Sequence, residues 1–465
     1  MKLSSTALLA LAVSSITATA YAEPVSQDFV PTTLAGASAQ SEAKGFIEDF
    51  SLGGSTRNWY AHESKYRGGT FAYQKHGETR TDRNRTNWLQ GTILNASSGF
   101  TQGTVGVKTE VALYNALVLD RSKRDIKGGS NRTLADSDGN AVDQWSKLGL
   151  ANVQLRVSNT TFIAGRQNFS SPIIDTIGNR ALPSSFEGVS FNSEELNNLS
   201  FQGGVFDRVS PRTEQSLSKF RSEYSSNGVE TDKVYTLGSN YQPFKSLKTS
   251  VFGANVKDFW NQYYFGATHE LGDSQQLALT TGFNYYKTVD EGKQLMGDID
   301  NDTWSLSMGL THQAHSLTFG YQAVNGNEYF DYLHETNGIY LANSLTSDFN
   351  GPNEKSFQVA YGINMAEYGV PGLKFNIYSA RGWGIDGTHY TGNRGVVGKG
   401  YDGIQSQDDE KHQEYGVGSA YEIQNGPLKA ATVRATYVEH RGSEFQSDGS
   451  IKEFRLVTTV PFNIL

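Results

Sequence analysis

Basic side chains recur between apolar neighbours along this chain. Arg156 stands between Leu155 and Val157, Arg434 between Val433 and Ala435, and Arg455 between Phe454 and Leu456. Lys108 lies between Val107 and Thr109, in a segment whose other face carries Val105, Val107 and Val111. Arg57 and Lys257 fall on the polar faces of weaker segments. Arginine suits carboxylates, because its planar fork pairs with one at two points. A row of such cations would serve small organic anions, replacing part of a solute's hydration as it passes. Each cation also has a plainer reading. It pairs with a wall carboxylate, for instance Glu110 or Glu422, and only holds the fold in shape. Arg381 is weaker, because it shares the parity of apolar Phe375 and Ile377.

The elements that carry these residues read as strands. Apolar and polar residues alternate with the period of two that a half-buried strand requires. The last segment is the clearest: Phe454, Leu456, Thr458, Val460, Phe462 and Ile464 share one face, against Arg455, Val457 and Thr459. Trp304, Leu306, Met308 and Leu310 alternate with Ser305, Ser307 and Gly309, and Leu317, Phe319 and Tyr321 with Thr318, Gly320 and Gln322. Strands are expected near 51–60, 86–97, 102–118, 148–157, 160–167, 186–193, 197–207, 233–242 and 247–257. The remainder fall near 260–270, 275–287, 301–312, 315–325, 354–365, 372–380, 412–424, 429–441 and 452–463. The eighteen segments are joined alternately by short turns, such as Ser158-Asn159 and Gln313-Ala314, and long connections, such as 119–147 and 326–353. Asp258-Phe259 is short where a long connection is due. Short turns at one end and long loops at the other mark an outer-membrane barrel. The chain ends on an apolar strand, Phe462 to Leu465, which would close on the first and leave no sheet edge in lipid.

Composition agrees with that reading. The 465 residues include 49 Gly, 24 Tyr, 25 Phe, 10 Pro and no Cys, with 40 basic against 48 acidic groups, net −8. Without cysteine there is no disulfide scaffold, thiol chemistry or Fe–S cluster. The net negative charge gives no reason to expect a nucleic-acid partner. A mean hydropathy of −0.48 excludes a helical membrane protein but not a barrel, whose strands are only half apolar. At the start, Met1-Lys2, the apolar run Ala7 to Val13, and Ala20-Tyr21-Ala22 spell a secretory signal peptide over 1–22. Residues 23–44 read as a mobile N-terminal segment, and 45–465 as the barrel.

From this point the chain resembles a known family, the OprD-type outer-membrane carboxylate channels of Gram-negative bacteria. The similar stretches are Lys44-Gly45-Phe46-Ile47-Glu48-Asp49, Arg57-Asn58-Trp59-Tyr60, and Ser98-Gly99-Phe100-Thr101-Gln102-Gly103-Thr104-Val105-Gly106. Asp348-Phe349-Asn350-Gly351-Pro352, Glu354-Lys355-Ser356, Tyr368-Gly369-Val370-Pro371-Gly372-Leu373, Asp386-Gly387-Thr388 and Glu453-Phe454-Arg455-Leu456 complete the set. The chain ends in Leu465, where outer-membrane proteins commonly end in Phe. The resemblance implies an all-β fold, a transmembrane antiparallel barrel of eighteen strands with inward-folded loops. It also implies a basic ladder, which Arg156 and Arg434 fit best. Arg57, Lys108, Lys257 and Arg455 are further pathway candidates. A cation on the lipid face at mid-depth would cost about 2–4 kcal/mol, so lumenal placement is favoured.

The resemblance further implies that the third and seventh loops constrict the pore. Here these are about 168–185, holding Asp175 and Arg180, and about 326–353, holding Tyr329 and Asp331. Asp331 opposite the basic wall would set a transverse field. The implied function is passive uptake of small carboxylates, with a small organic anion and outer-membrane lipid as partners. A monomer or weakly associated trimer is expected. Uptake of neutral oligosaccharides is the alternative, since aromatic residues are plentiful. No enzyme motif is present: there is no His-Glu-x-x-His, no Gly-x-Ser-x-Gly and no phosphate-binding loop. No cofactor or metal is expected. Asp298, Asp300 and Asp302 begin like a calcium loop, but Thr303 and Gly309 stand where that loop needs Gly and Glu.

Overall fold

The structure, a computed structural model, describes residues 38–67, 69–75, 78–121, 134–225, 229–392 and 401–465. The signal peptide and most of the N-terminal segment lie outside the described residues. The strands in chain order begin with β1 (Ser51–Arg67), β2 (Phe71–Lys75), β3 (Glu78–Asp82), β4 (Asn84–Ser97), β5 (Val105–Arg121) and β6 (Gln144–Val157). They continue with β7 (Thr160–Gln167), β8 (Ser185–Leu196), β9 (Leu199–Ser210), β10 (Phe220–Arg221), β11 (Glu230–Thr231) and β12 (Val234–Phe244). Next come β13 (Leu247–Val256), β14 (Trp260–Asp273), β15 (Leu277–Asp290), β16 (Asp300–His312) and β17 (His315–Asn325). The last are β18 (Lys355–Asn364), β19 (Leu373–Ile385), β20 (Glu410–Glu422), β21 (Thr432–Gly442) and β22 (Ser450–Asn463).

Among the described residues, eighteen of these strands form one antiparallel sheet. β1 pairs with β4 on one side and β22 on the other, so the sheet closes on itself. The pairs β2–β3 and β10–β11 are small ribbons within long loops. Closure leaves no unpaired sheet edge, which is the condition for strands to cross a bilayer. The eighteen barrel strands answer one for one to the eighteen segments read from alternation.

The outward face is apolar around the ring. Val251, Ile377 and Leu237 are 55%, 57% and 60% exposed, and Val111, Leu155, Phe265 and Phe454 are likewise uncovered. An apolar belt of this extent has no place in water and marks a lipid contact. Aromatic side chains rim the belt. Trp88, Tyr235, Tyr263, Trp383, Tyr415 and Tyr437 stand out toward the long-loop end, and Tyr241, Tyr361, Tyr368 and Tyr421 toward the short turns.

Several strands run further toward the long loops than alternation indicates. β1 continues to Arg67 and β5 to Arg121, and β6 already begins at Gln144. The barrel wall rises beyond the apolar belt there, so its outer face need not be apolar and the period-two signal fades. The tight turn at Asp258-Phe259 is present on the long-loop side, with Asp258 at a φ of 65°.

The third and seventh loops pack into the lumen. Ile173, Phe330, Ile339 and Leu341 of the third and seventh loops bury against Phe252, Tyr264 and Tyr286 of the wall. Ala181 and Leu182 pack on Trp59, Leu89, Tyr114 and Trp145. Burying one such large side chain is worth about 1.5–3 kcal/mol, so several together fix each loop in place.

Candidate functional site

The inward cations occupy one contiguous arc of wall. Arg434 lies on β21, Arg455 on β22, Arg57 on β1, Lys108 on β5 and Arg156 on β6, with β4 between β1 and β5. Arg434, Arg455, Lys108 and Arg156 stand on the face opposite lipid-exposed neighbours, in turn Val433 and Tyr437, Phe454 and Leu456, Val105 and Val111, Leu155 and Val157, and Arg57 is buried on β1. Arg156 faces Gly106 across the β5–β6 ladder, and Lys108 lies one inward step further along β5. Both are at the short-turn end. Arg57 and Arg455 lie further along their strands toward the long loops, whereas Arg434 is the third residue of β21, two places from its short-turn end.

At the short-turn end a small cluster forms. The Arg156 guanidinium sits 3.8 Å from the Phe100 ring centroid, and the Lys108 ammonium 5.8 Å from the same ring. A cation over an aromatic face is stabilised by the ring's quadrupole while its remaining donors stay available. Gln40 accepts a hydrogen bond from Arg156 Nε at 3.1 Å and donates to the carbonyls of Thr101 and Gly103. Residues 38–44, expected to be mobile, are therefore tied to the barrel mouth, with Gln40 only 3% exposed.

Arg57 and Arg455 have structural partners. Arg57 Nη1 donates to the carbonyls of Gly178 and Arg180 at 2.7 and 3.0 Å, and Nε donates to Thr459 Oγ1. It thereby fastens the third loop to the wall. Arg455 pairs with Glu453, two residues along the same face, at 2.5 Å. Glu110 does not take this wall-pairing role. It accepts from Asn95 and Asn152, each at 3.2 Å. Arg434 is half-buried beside Arg57, so two positive charges share that stretch of wall.

Lys257 requires correction as a lumenal residue. β13 ends at Val256, and Lys257 lies in the following turn, exposed and 3.6 Å from Asp232 of the neighbouring loop. Alternation misled because β13 is apolar on both faces. Val251 meets lipid, whereas Phe252, Ala254 and Val256 face inward against loop side chains. Arg381 lies within β19 on the outer, lipid-side face, near its long-loop end.

The third and seventh loops turn inward and meet. Asn337 donates its backbone N–H to the Asp175 carbonyl at 2.9 Å, and Tyr340 Oη lies 3.4 Å from the Asp175 carboxylate. Tyr286 on β15 binds both loops, donating to the Pro172 carbonyl and accepting from Tyr340 N–H. Burial pushes the Asp175 carboxyl up to about 7. Arg180 is 6% exposed, with its guanidinium 5.7 Å from the Trp59 ring centroid.

Asp331 does not oppose the basic wall, so the expected transverse field loses its acidic member. It is 4% exposed and accepts from Ser222 Oγ, from Tyr401 Oη at 2.9 Å and from its neighbour's N–H at 2.7 Å. Desolvation pushes it up to about 7, against an ordinary 3.8. Tyr329 is likewise packed among loops, stacked on Tyr224 with ring centroids 4.8 Å apart. Asp348, half-buried nearby, accepts from Tyr224 Oη and Tyr332 Oη.

Sequence reasoning missed the strongest loop fastener. Arg212 and Glu335 form a two-point ion pair at 2.8 and 3.0 Å, both nearly fully buried. It joins the fourth long loop to the seventh, and the Arg212 guanidinium holds the Glu335 carboxyl far below its usual range. The partners are 123 residues apart, and no local spacing signals them.

Comparison with known proteins places this architecture. Residues 44–464 match the family profile described as outer membrane porin, OprD family. Porin D of Pseudomonas aeruginosa is 35% identical over 438 residues, spanning 92% of this chain and 94% of that protein. The crystal structure of Pseudomonas aeruginosa OccD3 (OpdP) superposes with a TM-score of 0.80 at 46% identity, over 92% of this chain and 94% of that one. Pseudomonas aeruginosa OpdK, solved with vanillate, superposes with a TM-score of 0.76 at 25% identity, over 90% of this chain and all of the other. A closed eighteen-stranded barrel with an apolar outer belt, matched along nearly its whole length by porins, makes this chain a member of the OprD family of outer-membrane porins.

Proposed function

We propose that this porin passes small carboxylate-bearing solutes, with aromatic acids, aliphatic acids and basic amino acids among them. The observation that carries the reading is the arc of inward cations from β21 through β22, β1 and β5 to β6. A carboxylate arriving past the loops would meet Arg434, then Lys108 and Arg156 at the short-turn mouth. Each step exchanges one hydrated cation contact for another. Binding is thus strong enough to admit the anion and weak enough to release it. In this account Arg455 and Arg57 act mainly through shape, one neutralised by Glu453 and one holding the third loop. OpdK, a relative, is solved with vanillate, an aromatic carboxylate.

Liposome swelling with a matched panel tests this reading. Benzoate and small aliphatic acids should enter faster than neutral sugars of similar size. Faster entry of the sugars would transfer the assignment to an oligosaccharide porin.

A further inference from the structure

Two histidines on adjacent strands near the long-loop end bring a ring nitrogen of each into contact. His412 on β20 and His440 on β21 are 3% and 1% exposed. His412 Nδ1 lies 2.7 Å from His440 Nε2. The other ring nitrogens are already committed. His440 Nδ1 lies 2.8 Å from the carbonyl of Gly449, which can only accept, so that nitrogen carries the hydrogen and Nε2 presents a lone pair. His412 Nε2 lies 2.6 Å from Glu354 Oε1. When the one hydrogen of a neutral His412 sits on Nε2 and points at that carboxylate, Nδ1 presents a lone pair. Two lone pairs then face each other, which is repulsive unless a cation stands between them.

A third ligand is at hand. His412, His440 and Asp448 each offer an atom, all within 4.8 Å of one another. Asp448 lies in the loop between β21 and β22, on the exposed side of the pair. Its Oδ2 accepts from Ser347 Oγ at 2.6 Å and from Gln446 Nε2 at 3.1 Å. Ser347 Oγ also approaches His412 Nδ1 at 3.4 Å. The pattern is that of a metal centre: two imidazoles oriented by a carboxylate and a carbonyl behind them, and one carboxylate open to solvent.

We propose that His412, His440 and Asp448 bind one divalent transition-metal ion of the zinc type. Imidazole ligands favour such an ion over magnesium or calcium, which prefer oxygen. Zn–N bonds of about 2.0–2.1 Å in a tetrahedral arrangement set the two nitrogens about 3.3 Å apart, so a small parting of the rings admits the ion. The ion would clamp the β21–β22 loop to the wall. Through Glu354 and Ser347 it would also fasten the seventh loop, which packs into the lumen.

The test is zinc binding to the full chain in detergent, read by competition with a chromophoric zinc indicator. One ion per chain is expected. His440→Gln and Asp448→Asn should each weaken it at least tenfold. Glu354→Gln, which touches no ion, should weaken it about 10- to 100-fold. Heat-modifiable gel mobility checks that each variant is folded, and the exposed Asp448→Asn keeps the test available should a buried variant fail to fold. The proposal is overturned by the absence of saturable binding up to about 100 μM zinc, which would leave a proton between the rings. It is equally overturned by binding that survives Asp448→Asn in folded protein.

Discussion

At Arg455 the guanidinium is held by Glu453, whereas Arg434 stands beside the like charge of Arg57. Arg455 has a carboxylate beside it on its own strand, and Arg434 adds a second cation to the wall next to Arg57. Arg434→Ala should therefore slow benzoate uptake about two- to fivefold, the range of a hydrated ion pair worth up to about 1 kcal/mol. Sugar entry and barrel folding should not change. Equal rates for Arg434→Ala and the parent would make it a shaping residue like Arg455. Residue-scale electrostatics also set a pH response in the seventh loop. Asp331 is pushed up to about 7 by burial, from 3.8 when released. Between those values the packed loop binds more protons than the released loop, so packing is firmest at low pH and weakens as pH rises through about 7. Asp175 and Glu328, both pushed to about 7, act in the same direction. Protease cleavage within the seventh loop should be slower at about pH 5.5 than at about pH 8, and Asp331→Asn should flatten the difference. The opposite order would contradict this account of the loop.

At the scale of elements, the wall and the inward loops fit through close contacts. Gly91 on β4 faces the third loop: a Cβ there would lie 2.3 Å from the Ala181 carbonyl oxygen and 3.0 Å from Leu182. Gly91→Val should push the loop from the wall and raise single-channel conductance, with the barrel still folded by gel mobility. An unchanged conductance in folded protein would mean that this loop does not set the constriction. The same scale explains what could be read in advance. Lipid forces one face of each spanning strand to be apolar, so Lys108, Arg156, Arg434 and Arg455 revealed their direction through their neighbours. Lys257 did not, because β13 is apolar on both sides where loops pack inside it. Loop partners left no periodic trace at all. Asp331 meets Tyr401 across 70 residues and Arg212 meets Glu335 across 123, both fixed by tertiary packing alone.

For the whole molecule, the net −8 is a poor guide to the solute. Many acidic groups lie in loops, and Glu63, Glu110, Glu414 and Glu453 also face inward from the wall, while the barrel turns its basic minority inward along one arc. The field of that arc is screened over about 10 Å at 0.1 M salt and about 3 Å at 1 M. Preference for anions should therefore be strong in dilute electrolyte and fade in concentrated electrolyte. Single-channel recording in a planar bilayer tests the central claim most directly. At about 0.1 M KCl, added benzoate should perturb the current, the effect should weaken at about 1 M, and Lys108→Gln with Arg156→Gln should reduce it further. A strongly cation-preferring channel whose current is indifferent to benzoate and other carboxylates would contradict the account.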